Sequence, residues 1–143
     1  MLSVLVSAGV LMAVTVGVHT AGIAVLLRGL MRLDVLAHMR LWPITRMLLR
    51  MMWWLILVHL AEISVWALFY LWRGCMPDAE AAFYFSGVTY TTVGYGDLVL
   101  QKPWQLLGPI EGLMGILMCG LSTGFFFAVL SKVFGARSGA EPN

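Results

Sequence analysis

Apolar residues fill three long stretches of the chain almost without interruption, at residues 2–27, 51–72 and 106–130. Each is long enough to meet the ~20 residues a helix needs to cross a hydrocarbon core, so the pattern predicts three transmembrane helices and an all-α membrane protein. The first stretch carries no charged side chain. No basic residue precedes it, and it is too long for the apolar region of a leader, so it is expected to be retained as a span. Between the first two stretches, residues 28–50 carry Arg28, Arg32, Arg40, Arg46 and Arg50, with Asp34 as the sole acid and a Trp42-Pro43 break. This linker reads as basic interfacial helices on the inner face of the membrane. Residues 134–143 form a short Gly-, Ser- and Pro-containing tail, too short for a folded calcium- or nucleotide-binding domain.

Composition supports the bilayer setting: 61% of residues are hydrophobic and 11% charged, with a mean hydropathy of +0.90. The formal charge of +2 is too small to argue for a nucleic-acid partner. Its distribution says more. The five linker arginines join Lys132 and Arg137 on one side of the membrane, leaving Arg73 and Lys102 on the other. The positive-inside rule then places the N-terminus outside and the C-terminus in the cytoplasm of a plasma membrane, the bacterial inner membrane being the expected one. Trp42, Trp53 and Trp54 fall at the inner interface, and Trp72 and Trp104 at the outer one. The inner arginines are expected to meet anionic lipid headgroups. Cys75 and Cys119 lie far apart, match no metal-binding spacing and read as free thiols.

Residues 73–105 are too long for a turn and too apolar in their middle for a solvated loop. Pro77, Asp78 as N-cap and Glu80 in the first turn open a short helix at 78–91 that re-enters the membrane without crossing it. It leads into "TYTTVGYGDL", residues 89–98. Non-helical backbone at membrane depth is tolerated only where it is buried in protein or lines a water-filled path. A dehydrated cation needs rings of oxygen to replace its hydration shell, and backbone carbonyls supply them if successive groups turn to one side. That geometry needs left-handed backbone at alternate positions, which Gly94 and Gly96 adopt at little steric cost.

The run Thr91–Asp97, "TTVGYGD", resembles the selectivity-filter signature of potassium channels, with their pore helix before it and a span on either side. The resemblance covers a pore domain at 51–133. It implies an outer helix at 51–72, a pore helix at 78–91, a filter at 92–97 and an inner helix at 106–130. It also implies that three identical subunits join this one around a single central pore. The ion ligands implied for K+ are Thr92, Val93, Gly94 and Tyr95, supported by Gly96, Asp97, Thr91, Val88 and Tyr84. The function so implied is passive, potassium-selective conduction, with a weakly selective cation channel or a non-conducting subunit as the alternatives. Where some simple bacterial channels carry a glutamate behind the filter, this chain has Val88. The resemblance makes Tyr84 the pore-helix partner of Asp97 instead.

The chain departs from a plain two-span channel by its extra first span, and no arginine-bearing voltage sensor precedes the pore. His19 and His59 lie level, roughly 13 Å above the inner arginines at helical rise, and Glu62 shares a face with His59. These three are expected to form an intramembrane cluster that docks the first span, with pH sensing as the sharper alternative. Glu111 admits a place behind the filter, at the outer mouth or at the outer interface. Gly115 and Gly120 are the candidate hinges of the inner helix, although close packing explains glycines at such spacings equally well. Ser122 and Thr123 either face the inner cavity or bond back to their own helix. No sequence cluster of nucleophile, base or metal ligands points to an enzyme, and no organic cofactor is expected.

Overall fold

The structure is a computed structural model that describes residues 1–31 and 41–138. It is all-helical: α1 spans Leu2–Met31, α2 Leu41–Trp72, α3 Ala79–Tyr90 and α4 Leu107–Ser138, with a 3-10 turn at Trp104–Leu106 before α4. Three helices are long and apolar enough to cross a membrane, over Leu2–Leu30, Trp42–Trp72 and Trp104–Gly135. The protein is therefore a multi-pass membrane protein, with α3 as a short helix between the second and third spans.

The helices run past their expected limits for physical reasons that can be named. Pro43 and Pro109 each occupy the first turn of a long helix, where a missing N–H costs no hydrogen bond. Pro43 thus begins α2 and does not break the linker. Residues 41–50, expected as separate interfacial helices, continue without a break into residues 51–72 as one helix. At the end of α1, Arg28 lies in the last turn, where the helix dipole favours a cation. Arg32, Asp34 and Arg40 lie outside the described residues, as do residues 139–143 of the tail, whereas residues 134–138 continue α4.

Two apolar clusters hold the helices together at opposite ends. One joins Val4, Ala8 and Leu11 of α1 to Trp66 and Tyr70 of α2, Phe85 and Tyr90 of α3, and Leu107, Met114 and Met118 of α4. The other joins Ile44, Met47 and Met51 at the start of α2 to Val133 near the end of α4, with Leu26, Leu30 and Phe126 beside them. The start of α1 meets the end of α2, so the two helices run antiparallel.

The first span therefore docks on its own second span. A Cβ at Gly22 would lie 2.5 Å from Val58 Cγ2, so the bare glycine sets how closely α1 and α2 approach. At the same crossing the Trp54 indole N–H donates to the Gly22 carbonyl at 2.8 Å. Nearer the start of α1, Trp66 Nε1 donates to Thr15 Oγ1 at 2.9 Å, and Thr15 donates in turn to the Leu11 carbonyl at 2.8 Å. These bonds face no competition from water in an apolar interface, and each is worth on the order of 1 kcal/mol.

Candidate functional site: the pore helix and its loop

Asp78 caps α3 by accepting a hydrogen bond from the Ala81 N–H at 2.8 Å, and Glu80 lies in the first turn, where the dipole favours an acid. At the other end Thr91 is the C-cap, its backbone N–H bonded to the Gly87 carbonyl at 3.1 Å and its hydroxyl to the same carbonyl at 2.7 Å. The chain then leaves the helix under close control. The N–H of Thr92 donates to Thr89 O at 2.9 Å, and those of Val93 and Gly94 donate to Val88 O at 3.0 and 3.3 Å.

Beyond this point the backbone adopts positive φ at every second residue: 62° at Thr92, 56° at Gly94 and 78° at Gly96. The two glycines are the residues from which sequence expected this geometry. Thr92 shares it without any glycine, and a β-branched residue at positive φ is strained by roughly 1–3 kcal/mol. Such strain persists only where the surroundings determine the backbone, here through the hydrogen bonds from the end of α3. Val93 and Tyr95 alternate with these positions and are 52% and 72% exposed.

Directly after Gly96, Asp97 is held from two directions. Its Oδ2 accepts the Tyr84 hydroxyl at 2.6 Å, and its Oδ1 accepts the Leu98 N–H at 3.1 Å. The tyrosine hydrogen bond holds the Asp97 carboxyl below its ordinary range, and the same bond pushes the Tyr84 phenol up. Val88 borders a cavity of about 460 Å³ between the pore helix, the loop and α4, together with Tyr84, Thr92 and Gly108. The Val88 side chain has no polar atom to offer Asp97, and the brace comes from Tyr84.

Two buried carboxylates tie the pore helix to the spans. Glu111 of α4 is fully buried and accepts the Tyr70 hydroxyl of α2 at 2.7 Å, while its other oxygen lies 2.5 Å from Ser86 Oγ of α3. Ser86 Oγ is also 2.9 Å from the Ile63 carbonyl. One hydroxyl hydrogen cannot serve both acceptors. The chain closes without conflict when Glu111 carries a proton and donates it to Ser86, which donates onward to Ile63. Where sequence left Glu111 a place behind the filter, at the outer mouth or at the outer interface, the structure buries it between Tyr70 of α2 and Ser86 of α3.

The second carboxylate is Glu62, also fully buried. His19 Nδ1 of α1 lies 2.8 Å from Glu62 Oε1, and His59 Nδ1 lies 3.1 Å from Oε2 and 3.0 Å from the Tyr90 hydroxyl. Tyr90 also donates to Glu62 Oε2. The structure thus brings together the three residues read from sequence as a docking cluster and adds Tyr90, the last residue of α3. Sequence reasoning missed Tyr70, Ser86 and Tyr90 because an isolated Tyr or Ser in an apolar stretch gives no sign of which carboxylate it will meet.

The two candidate hinge glycines differ sharply. A Cβ at Gly115 would stand 1.9 Å from the Tyr90 carbonyl oxygen, so Gly115 permits α4 to lie directly against the end of the pore helix. At Gly120 no atom lies within 4 Å of the corresponding point. Thr123 bonds back to the Cys119 carbonyl at 2.8 Å, and Ser122 is buried with no hydrogen-bond partner for Oγ among the described residues. Cys75 and Cys119 are free.

A family model described as "Ion channel" matches residues 51–132, from within the outer helix through the pore-helix loop to the inner helix. No curated protein and no solved structure gives a significant match to the chain. The family is one of ion channels and not of enzymes. With more than half of its length inside that match, this chain belongs to the two-transmembrane, potassium channel-like ion channel family.

Proposed function

We propose that the protein is a potassium-selective channel that conducts K+ passively through a pore made by four copies of this chain. The observation that carries the reading is the alternation of left-handed backbone at Thr92, Gly94 and Gly96, directly after a capped, membrane-re-entrant helix. Alternating backbone handedness is what turns successive carbonyls to one side of an extended chain. On this reading the permeant K+ meets the carbonyls of Thr92, Val93, Gly94 and Tyr95, with the Thr92 hydroxyl at the inner end. One chain supplies one quarter of each oxygen ring, and rotational symmetry supplies the rest. The exposure of Val93 and Tyr95 on the isolated subunit fits a loop completed by neighbouring copies.

The N-terminus lies outside and the C-terminus in the cytoplasm, on the charge argument. Anionic headgroups gather at the inner arginines. Arg46 and Arg50 stand one turn apart beside an apolar cavity of about 500 Å³ between α1 and α2, a shape suited to an acyl chain beneath a phosphate.

Liposomes containing only the purified protein test the reading. Flux should be large in K+ and small in Na+, and Gly94→Ala and Gly96→Ala should abolish it while leaving the subunit helical by circular dichroism. Equal K+ and Na+ flux would replace this reading with a weakly selective cation channel. No flux in either ion from a folded tetramer would replace it with a non-conducting subunit.

A further inference from the structure

We propose that His19, His59 and Glu62 form an intramembrane binding site for a transition-metal ion of the Zn2+ class, with the Tyr90 hydroxyl beside it as the fourth donor. One ligand atom from each of the three residues lies within 4.8 Å of the others. A tetrahedral ion with metal–ligand bonds of ~2.1 Å separates its ligand atoms by about 3.4 Å. His19 Nδ1 and His59 Nδ1 already lie 2.8 and 3.1 Å from Glu62, so movements of about 1 Å complete the geometry.

The donor set and its surroundings select the class of ion. Two imidazoles and a carboxylate suit Zn2+ or Co2+, whereas Mg2+ and Ca2+ demand more oxygen donors. Glu62 is fully buried at membrane depth, and no lysine or arginine pairs with it among the described residues. A divalent cation there meets a carboxylate whose other partners are a phenol and two imidazoles. His19 supplies an independent sign. Its ring is fully buried, yet Nε2 has no partner, so the ring is held at one nitrogen only. It can turn to present either nitrogen, or shift its proton from Nδ1 to Nε2, and become a neutral ligand without losing an existing bond at Nε2. His59 is the least enclosed of the three ligands, its side chain 19% exposed.

The consequence for the channel rests on the function proposed above, but binding itself does not. Tyr90 lies two residues before Thr92, so an ion drawing in Glu62 and Tyr90 acts on the first residue of the filter.

The test uses full-length protein in detergent, stripped with EDTA, with any polyhistidine tag removed. Titration with Co2+ should produce the intense visible absorption bands of a tetrahedral site, saturating at one ion per chain. Zn2+ should displace the Co2+, and excess Mg2+ or Ca2+ should not. His59→Ala and Glu62→Gln should weaken binding by more than about 100-fold, beyond what losing an outer-shell partner produces. His19→Gln keeps a hydrogen-bond donor for Glu62 but lacks the imidazole. It should melt like the metal-free wild type and still lose the Co2+ bands. Cys75→Ala serves as a control and should bind normally. Absence of stoichiometric bands in the wild type overturns the proposal, as does binding that persists in His19→Gln and Glu62→Gln. Because the readout is spectroscopic, a protein that fails to conduct K+ can still bind the metal, and the two proposals fail separately.

Discussion

Replacing Gly115 by alanine tests whether the inner helix uses this position for packing or for bending. The added Cβ would stand 1.9 Å from the Tyr90 carbonyl oxygen and 2.8 Å from its carbon, both backbone atoms that cannot rotate aside. Helix α4 or the end of α3 must retreat by about 1 Å, a displacement typical of overpacking that costs about 1–3 kcal/mol per subunit. Gly120 supplies the contrast. Its Cβ would meet nothing within 4 Å, and a glycine-to-alanine change in an open helix gains up to about 1 kcal/mol from helix propensity. The two substitutions should therefore act with opposite signs on thermal unfolding in detergent, Gly115→Ala lowering the midpoint and Gly120→Ala holding or raising it. Since Tyr90 leads directly into Thr92, Gly115→Ala should also reduce K+ flux from liposomes even where the protein still assembles. Wild-type melting and flux in Gly115→Ala would refute the packing argument. A silent Gly115→Ala beside a Gly120→Ala that abolishes opening would move the pivotal role to Gly120.

Three further outcomes follow from hydrogen bonds and close contacts between the helices. Tyr84→Phe removes the Asp97 brace, so the time course of flux should change. In the wild type the depressed Asp97 carboxyl keeps the brace intact as pH falls through 3.8, its loss coming only at more acidic pH, while the raised Tyr84 phenol preserves it past pH 10; in Tyr84→Phe, acid should act from nearer 3.8, as a pH series of fluxes would report. Glu111→Gln can still accept from Tyr70 and donate to Ser86, so its melting should stay close to wild type. Glu111→Ala leaves both hydroxyls without that partner and should cost about 1–3 kcal/mol for each one left unsatisfied; equal damage from Gln and Ala would rule out the neutral hydrogen-bonded chain. Gly22→Ala should push α1 from α2 and weaken the Trp54 bond, and Val58→Ala should restore part of the lost stability in a double-mutant cycle, whereas simple additivity would place the contact elsewhere.

The parts of this protein legible in the sequence are those fixed by local rules. Three apolar stretches give three spans, and Asp78 is read as a cap because capping is settled within one turn. Gly94 and Gly96 announce positive φ because no other residue adopts it so readily. Helix limits were harder to read, since Pro43 looks like a break until its place in a first turn is known. Thr92 carries the same backbone handedness without any local signal, because its conformation is imposed by hydrogen bonds from Thr89 and Val88. The carboxylate partners were the least legible. Glu62 and His59 share a helix face and could be paired by spacing, but Tyr90 reaches Glu62 only through the way α3 folds back between the spans.

Those long-range bonds explain how so short a helix can set the position of the loop that follows it. A 12-residue helix is marginal by itself, so the place of α3 must come from its contacts. Its polar ties lead in three directions: Tyr84 to the far end of the loop, Ser86 to α4, and Tyr90 to the Glu62 cluster. Each tie is worth on the order of 1 kcal/mol, so their main effect lies less in total stability than in fixing the register of a loop where an ångström matters. The Tyr90 tie depends on α1 as well as on the pore module. Without His19, Glu62 Oε1 would lose its partner inside an apolar environment, where an unsatisfied carboxylate oxygen is costly. The extra span is thus more than a cover for the outer helix. Through His19, Glu62 and Tyr90 it is coupled to the backbone two residues before the first left-handed position of the loop.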